Sequence, residues 1–251
     1  MVGRAKPDMY SADLSLFVLD AGIALLERGE ADLLYLSLSD YVQHAHAPGT
    51  PEANAFHWAV DERVGRLVEL GAVVGLVADH GMNDKARPDG SPNVVFLEDA
   101  LNDRFGAGAV RVICPITDPF VRHHGALGSF VRVYTRSAGD LAELMAASAT
   151  LPGVTLVLDG SEAASLFEMP ADREADFVVL GDANTAIGAA RAEHDLSGLA
   201  GHRLRSHGGL GEQRVPFILS RPLTPEYRHR AETSRLRNFD IFDFALNGVA
   251  G

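Results

Sequence analysis

Cysteine is nearly absent from this sequence, because Cys114 is the only one among 251 residues. A single cysteine excludes an internal disulfide and any zinc site built from thiolates, and we interpret Cys114 as a small buried hydrophobic residue. No apolar run approaches the ~18 residues of a transmembrane helix. Residues 1–8 lack the apolar stretch of a signal peptide. Positive charge is also scarce: 22 Lys and Arg stand against 34 Asp and Glu, for a formal net charge of −12. This balance argues against general nucleic-acid binding and against attachment to an anionic membrane surface.

The composition is otherwise that of an ordinary globular chain. Hydrophobic residues make up 47% and charged residues 22%, which excludes a disordered tail, a coiled coil and a collagen-like fibre. At about 150 residues per domain, the length predicts one large domain or one and a half. We therefore predict a globular α/β protein located in the cytoplasm.

Helix and strand patterns alternate near both ends of the chain. Apolar residues recur at helical spacing over residues 11–28, with Ser11 as N-cap, and again after Thr50 and Pro51, which are typical of a helix start. A last helix is predicted over residues 236–246. Short apolar runs predict three buried strands, over residues 33–38, 72–78 and 215–220. Because the first two strands are separated by a helix, we predict a parallel sheet flanked by helices.

The pattern changes in the middle of the chain, where segments are shorter and interrupted by glycine. The predicted elements there are three strands and two helices, over residues 128–134, 154–158, 176–180, 139–149 and 161–167. We interpret this region, residues 98–201, as an inserted α+β cap subdomain. Residues 1–97 and 202–251 then form the α/β core.

Short motifs place aspartate and histidine directly after predicted strands. Asp40 and His44 follow the strand over residues 33–38 and are four residues apart, which puts a carboxylate and an imidazole on one face of a helical turn. In parallel α/β folds, ligands gather at the carboxyl ends of the strands. In the alternative interpretation, Asp40 caps the turn and His44 is solvated.

Two further motifs have the same character. Asp79 and His80 follow the second predicted strand, and Gly81 lets the backbone turn tightly beneath them. They are possible metal ligands, although an ordinary polar turn explains the pair equally well. His207 lies in a glycine-rich turn before the last predicted strand, where a lone histidine is more often structural or solvated than a ligand.

Taken together, the three motifs predict one metal centre. Two carboxylates and three imidazoles supply oxygen and nitrogen ligands without a thiolate, a donor set that suits zinc, and manganese is a further candidate. The predicted ligands are Asp40, His44, Asp79, His80 and His207.

The same motifs carry a family resemblance. Asp-x-x-x-His, then Asp-His-Gly, then a distant Ser-His-Gly resembles the alkaline phosphatase superfamily of two-metal phosphoryl hydrolases. Within it, longer stretches look like the phosphonoacetate hydrolase family, and they lie at residues 36–44, 79–83, 123–130 and 204–209. The resemblance covers nearly the whole chain and implies an alkaline phosphatase-like fold, with a parallel sheet flanked by helices.

The resemblance also implies an activity and an assignment of ligands. The family cleaves the C–P bond of phosphonoacetate, a small-molecule phosphonate, to acetate and phosphate, with two zinc ions. One zinc would be held by Asp40, His44 and His207. The second would be held by Asp79 and His80, with an upstream aspartate and an upstream threonine that is the nucleophile. Two ions ~4 Å apart stabilise both the attacking and the leaving group at phosphorus.

One part of the family pattern has no counterpart in this sequence. Nothing before the first predicted helix matches the upstream aspartate, the nucleophilic threonine or the substrate lysines, and Thr50 is interpreted as a helix cap. We therefore expect no catalytic nucleophile among these residues, no assignable substrate-binding residue, a core incomplete at its N-terminal side and one well-held zinc site. The chain is expected to be inactive alone. His123 and His124, in the predicted cap, are interpreted as structural or substrate-facing.

Two other functions stay open from the sequence. A nucleotide pyrophosphatase or phosphodiesterase of the same superfamily shares the metal residues but not the cap motifs. A non-catalytic remnant that binds one metal ion, or none, is the alternative from a different class, because the threonine has no counterpart. The sequence carries no prediction of the oligomeric state.

Overall fold

The computed structural model describes residues 2–115, 125–199 and 201–250, and their contacts form two compact units. The first unit combines the chain up to Asp79 with the chain from Val215 onward, and the second is His80–Arg214. The helices are α1 (Ala12–Glu27), α2 (Tyr41–Ala45), α3 (Pro51–Glu69), α4 (Leu97–Phe105), α5 (Leu141–Ala149), α6 (Gly160–Phe167), α7 (Pro225–Thr233) and α8 (Asp240–Asn247). The strands are β1 (Gly75–Val77), β2 (Asn83–Asp84), β3 (Val94–Phe96), β4 (Val110–Ile113), β5 (Phe130–Thr135), β6 (Val154–Asp159), β7 (Phe177–Gly181), β8 (Ala186–Gly188), β9 (Arg205–Ser206) and β10 (Phe217–Leu219).

Helices α1 and α3 pack together in the first unit, and both begin where the sequence predicts. The side chain of Ser11 caps α1 by accepting a backbone hydrogen bond from the first turn. Thr50 caps α3 in the same way, and Pro51 occupies the first turn, where a missing N–H removes no helical hydrogen bond. Arg63 Nε on α3 lies 2.7 Å from Asp20 Oδ1 on α1. These contacts confirm both predicted helices.

Strands β1 and β10 pair antiparallel in the first unit, with Leu76 opposite Ile218. They lie within the strands predicted over residues 72–78 and 215–220. Helix α8 packs against both strands, and its Phe244 meets Phe217 edge to face, with ring centroids 5.2 Å apart. The predicted last helix is therefore confirmed, with a start a few residues later than expected.

The segment over residues 33–38 is the exception among the predicted strands. It forms no strand within the part of the chain that the structure describes, and Leu33 and Tyr35 are 72% and 76% exposed. A strand needs a neighbour to complete its ladder of hydrogen bonds, and an apolar run alone does not supply one. The predicted strand, and its parallel pairing with residues 72–78, is wrong for the described residues.

An antiparallel sheet in the order β4-β5-β7-β6 forms the centre of the second unit. On one face, Phe177 and Val179 of β7 pack with α4 and α5 in the largest core cluster. On the other face, Val178 and Leu180 pack with α6. Alternate residues of the strand thus face opposite layers, as a period of two requires. The three strands and two helices predicted here are confirmed as β5, β6, β7, α5 and α6.

Two short pairings complete the described part of the second unit, β2 with β9 antiparallel and β3 with β8 parallel. Cys114 is buried in the largest core cluster, as predicted, and burial raises the pKa of its thiol to about 11. The mixed α/β class is confirmed. The two compact units described above are defined by packing contacts. The predicted division into a core and an inserted cap over residues 98–201 is a different one, and it stays a prediction. No helix in the described ranges is long and apolar enough to cross a membrane.

Candidate metal centre

Asp40 and His44 lie on one face of the short helix α2, in the first unit. Asp40 Oδ2 is 3.0 Å from His44 Nε2, as their four-residue spacing predicts. The His44 side chain is only 3% exposed, whereas that of Asp40 is 42% exposed. Asp40 occupies the N-cap position of α2, but its side chain makes no capping hydrogen bond. The alternative of a capping aspartate and a solvated histidine is therefore wrong.

A buried serine of α1 holds the backbone directly before Asp40. The hydroxyl of Ser15 accepts a hydrogen bond from Ser39 N at 3.0 Å and donates one to Ser39 O at 3.3 Å. Because one buried hydroxyl satisfies both backbone groups of Ser39, the start of α2 is fixed against α1. The position of Asp40 thus depends on a residue that lies outside its own motif.

His80 and His207 stack face to face in the second unit. Their ring centroids are 3.5 Å apart and the ring planes differ by 8°. The antiparallel pairing of β2 with β9, in which Asn83 lies opposite Ser206, brings the two segments together. His80 and His207, which were predicted as ligands from motifs far apart in the sequence, are therefore in contact.

The backbone at His207 is held by the segment that leads into β5. Ser129 N donates to His207 O at 2.9 Å, and the Ser206 hydroxyl donates to Leu127 O. Gly128 permits this close approach, because a Cβ atom there would lie 2.9 Å from His207 O. The stretch over residues 127–129, which belongs to one of the resemblance motifs, therefore supports the histidine.

Glu212, a buried residue, joins the segments that carry the two histidines. Its backbone O accepts from Gly81 N at 2.6 Å, one residue after His80. Its side-chain Oε2 accepts from Gly209 N at 2.7 Å, two residues after His207. Glu212 therefore contacts both histidine-bearing segments at once.

Asn83 and Lys85 contact the other carboxylate oxygen of Glu212. Asn83 Nδ2 donates to Oε1 at 2.5 Å and Lys85 Nζ donates to it at 2.9 Å. Lys85 Nζ also donates to Ala183 O at 2.9 Å, and both members of the ion pair are almost completely buried. Burial lowers the pKa of Lys85, and the charge of Glu212 opposes that shift. Sequence reasoning missed this pair, because no local pattern separates a lysine and a glutamate that meet across the fold from surface charges.

The remaining predicted residues are placed more simply. Asp79 ends the first unit and directly precedes His80 in the chain. His123 and His124 lie outside the described residues. Within the two units, the structure brings the predicted ligands together as two pairs: Asp40 with His44, and His80 with His207.

The donors at these positions fit a zinc ion. They are carboxylate oxygens and imidazole nitrogens, the usual ligands of zinc when no thiolate is present. His80 Nδ1 lies 2.9 Å from Gly81 O. Such a backbone contact at one ring nitrogen is the arrangement that orients the other nitrogen of a metal-ligating histidine. A backbone carbonyl therefore contacts one ring nitrogen of His80.

A comparison with known protein families defines the class of this chain. The family model of the Type I phosphodiesterase / nucleotide pyrophosphatase matches residues 12–203. The match covers well over half of the sequence, and the chain belongs to this family.

More specific similarity is to phosphonoacetate hydrolases, in agreement with the motifs. The crystal structure of the Sinorhizobium meliloti phosphonoacetate hydrolase with phosphonoformate is 45% identical, with a TM-score of 0.87, over 99% of this chain and 59% of that chain. The structure of that hydrolase with phosphonoacetate is 44% identical, with a TM-score of 0.85 over the same shares. A Penicillium oxalicum phosphonoacetate hydrolase is 69% identical over 29 residues, which are 12% of this chain and 40% of that relative. The predicted resemblance to this family is confirmed.

A more distant structure shares the fold alone. Murine ectonucleotide pyrophosphatase / phosphodiesterase 5 is 17% identical, with a TM-score of 0.54, over 82% of this chain and 52% of that chain. This chain spans 59% of the Sinorhizobium hydrolase, less than two thirds of its length.

Proposed function

We propose that this chain carries the metal-binding part of a zinc-dependent phosphonoacetate hydrolase. The reaction adds water across the C–P bond of phosphonoacetate and yields acetate and phosphate. The observation that carries the proposal is the 45% identity to the Sinorhizobium hydrolase over 99% of this chain, together with the existence of that hydrolase in complex with phosphonoacetate. The proposed substrate is a small phosphonate, with no nucleic acid or membrane as partner, and the proposed location is the cytoplasm.

The proposed ligands form two sets. Asp40, His44 and His207 would hold one zinc, and Asp79 and His80 would contribute to a second. Carboxylate and imidazole donors, including those of Asp40, His80 and His207, suit this metal. The rings of His80 and His207 lie 3.5 Å apart, so the histidines assigned to the two ions are direct neighbours, as closely spaced ions require.

When bound, zinc would supply Lewis-acid stabilisation of the negative charge at the phosphoryl group. The residues of this chain would contribute fixed donor positions. The contact between His80 Nδ1 and Gly81 O orients one ring, and the contact between Ser129 N and His207 O holds the backbone of the other. Positions held in this way reduce the reorganisation needed when substrate arrives.

The proposal assigns no catalytic nucleophile to this chain. The family's threonine is assigned to none of these residues, and no substrate-binding residue is assigned. We therefore expect the 251-residue chain to release phosphate from phosphonoacetate at a trace rate or not at all, because losing a nucleophile costs several powers of ten in rate.

A complementation assay tests the activity. The chain is assayed for phosphate release from phosphonoacetate at saturating zinc, alone and after co-expression with the part of the Sinorhizobium hydrolase that this chain does not cover. Co-elution on size-exclusion chromatography establishes that a complex forms. We expect turnover only in the complex, and we expect His44→Ala or His80→Ala to abolish it while His46→Ala does not.

The other outcomes separate the alternatives. A complex that ignores phosphonoacetate but cleaves the p-nitrophenyl ester of thymidine monophosphate would identify the phosphodiesterase, a possibility that the matched family model favours. A complex that forms and binds zinc but cleaves neither substrate would identify the non-catalytic alternative. Rapid turnover by the chain alone would contradict the assignment of the nucleophile.

A further inference from the structure

We infer that Glu212 is a positioning residue that fixes His80 and His207 relative to each other. The inference rests on the proposed function, in which both histidines are zinc ligands. It concerns the buried carboxylate described above, whose role neither the motifs nor the family resemblance assigns.

The contacts of Glu212 reach both histidine-bearing segments, one residue after His80 and two residues after His207. Its backbone O accepts from Gly81 N at 2.6 Å and its Oε2 accepts from Gly209 N at 2.7 Å. Both glycines lie close to Glu212: a Cβ atom on Gly81 would lie 3.2 Å from Glu212 O, and one on Gly209 would lie 3.0 Å from Oε2. A displacement of Glu212 would therefore be transmitted to the backbone beside each histidine.

The buried charge gives a second argument. An ion pair between fully buried side chains contributes little to stability compared with an apolar pair of similar volume. Here Glu212 Oε1 accepts from both Lys85 and Asn83, while Oε2 is left for Gly209. One carboxylate oxygen of Glu212 thus binds the side chains of Lys85 and Asn83, and the other binds the loop after His207. Glu212 therefore connects β2, which follows His80, to that loop. Hydrogen bonds to a charged group fix the direction of the contact, whereas apolar packing does not.

The stacking distance is the quantity that this network would maintain. The His80 and His207 rings are parallel and 3.5 Å apart, although they come from segments distant in the sequence. A change of a few tenths of an ångström in either loop would separate the rings or rotate them out of register. Residues that hold metal ligands in place typically change metal affinity by about 10–100-fold when they are mutated.

The test is the variant Glu212→Gln with Glu174→Gln as the matched control. Glu174 is also a buried carboxylate of the second unit, and its Oε1 lies 2.7 Å from Arg132 Nε. Two quantities are measured on the full chain. One is zinc affinity by isothermal titration calorimetry, and the other is the chemical shift of the histidine ring protons in the metal-free protein, because stacked rings shift each other's protons upfield.

We expect Glu212→Gln to weaken zinc binding about 10-fold or more and to remove the upfield shifts of the His80 and His207 ring protons. The amide nitrogen of glutamine does not accept a hydrogen bond, so either the contact with Gly209 or both contacts with Asn83 and Lys85 are lost. Glu174→Gln should lower stability without either effect. Unchanged affinity and shifts in Glu212→Gln, or equal changes in the control, would overturn the inference.

Two further results keep the test decisive. If Glu212→Gln does not fold, the double variant Lys85→Met/Glu212→Gln removes the unpaired buried charge, and the same loss of affinity and stacking is expected. If the wild-type chain binds no zinc, the proposed function fails, and the proton shifts of the metal-free protein still decide whether Glu212 positions the histidines.

Discussion

The carboxylate of Asp40 and the imidazole of His44 meet at 3.0 Å on one turn of helix, with the histidine almost fully buried and the aspartate partly exposed. The partly exposed carboxylate is accessible to a ligand. Under the proposed function, both side chains bind the same zinc ion.

His44→Ala should therefore reduce zinc affinity strongly. Removal of a residue that only supports a ligand typically lowers metal affinity about 10–100-fold. The loss of zinc affinity in His44→Ala should be larger, because a proposed ligand itself is removed. Isothermal titration calorimetry measures the effect. His46→Ala, two residues away, is the control and should bind zinc as the wild type does. Equal affinities of the two variants would contradict the assignment of His44.

Ser15→Ala should destabilise the protein and weaken zinc binding together. The Ser15 hydroxyl satisfies both the N–H and the C=O of Ser39, and leaving such groups without a partner costs about 1–3 kcal/mol in the free energy of unfolding. Urea unfolding measures this cost. Ser234→Ala, at an exposed position, should stay within about 0.5 kcal/mol of the wild type. A Ser15→Ala protein with unchanged stability and unchanged zinc affinity would show that this serine does not hold the backbone before Asp40.

Gly208→Ala and Gly106→Ala form a matched pair. Both glycines have φ = +99°, and a Cβ atom meets no neighbour closer than 3.5 Å at either position. Each substitution should cost about 1–3 kcal/mol through backbone strain. Only Gly208→Ala should also weaken zinc binding, because Gly208 follows His207 directly. Similar zinc affinity in the two variants would mean that the turn after His207 does not control its ring.

Cys114 provides a prediction for the dependence of stability on pH. Burial raises the pKa of the thiol from its ordinary value of 9.0 to about 11, so the folded protein disfavours the thiolate. The contribution of the neutral thiol to the free energy of unfolding is fully present below pH 9 and is lost as the pH rises through 11. The stability advantage of the wild type over Cys114→Ala should shrink across this range, by at most about 1.4 kcal/mol per pH unit. Urea unfolding at pH 8 and pH 10.5 measures it, and a constant difference would contradict the prediction.

Local signals in the sequence were sufficient for much of the fold. Ser11, Thr50 and Pro51 mark helix starts through contacts made within one turn, and the strands of the antiparallel sheet follow from runs of buried apolar residues. Helix α7 was not predicted, although Thr224 and Pro225 repeat the start signal of α3. No residue of α7 is buried, so the apolar periodicity that would have supported a helix is absent there.

Features that depend on distant partners could not be predicted in the same way. The segment over residues 33–38 has the apolar run of a strand, but pairing decides whether a strand forms. The predicted ligands were selected by motif, whereas Lys85 and Glu212, which meet at 2.9 Å, belong to none of the motifs and carry no shared signature. The stacking of His80 on His207 likewise became evident only from the pairing of β2 with β9.

Crystallisation of the chain with zinc, followed by anomalous diffraction at the zinc absorption edge, tests the assignment of the metal ligands most directly. We predict one strong anomalous peak bonded to Asp40, His44 and His207 at about 2.0–2.2 Å, with a weaker peak or none at Asp79 and His80. The absence of a peak at Asp40, or a strong peak bonded to none of the five residues, would contradict the account.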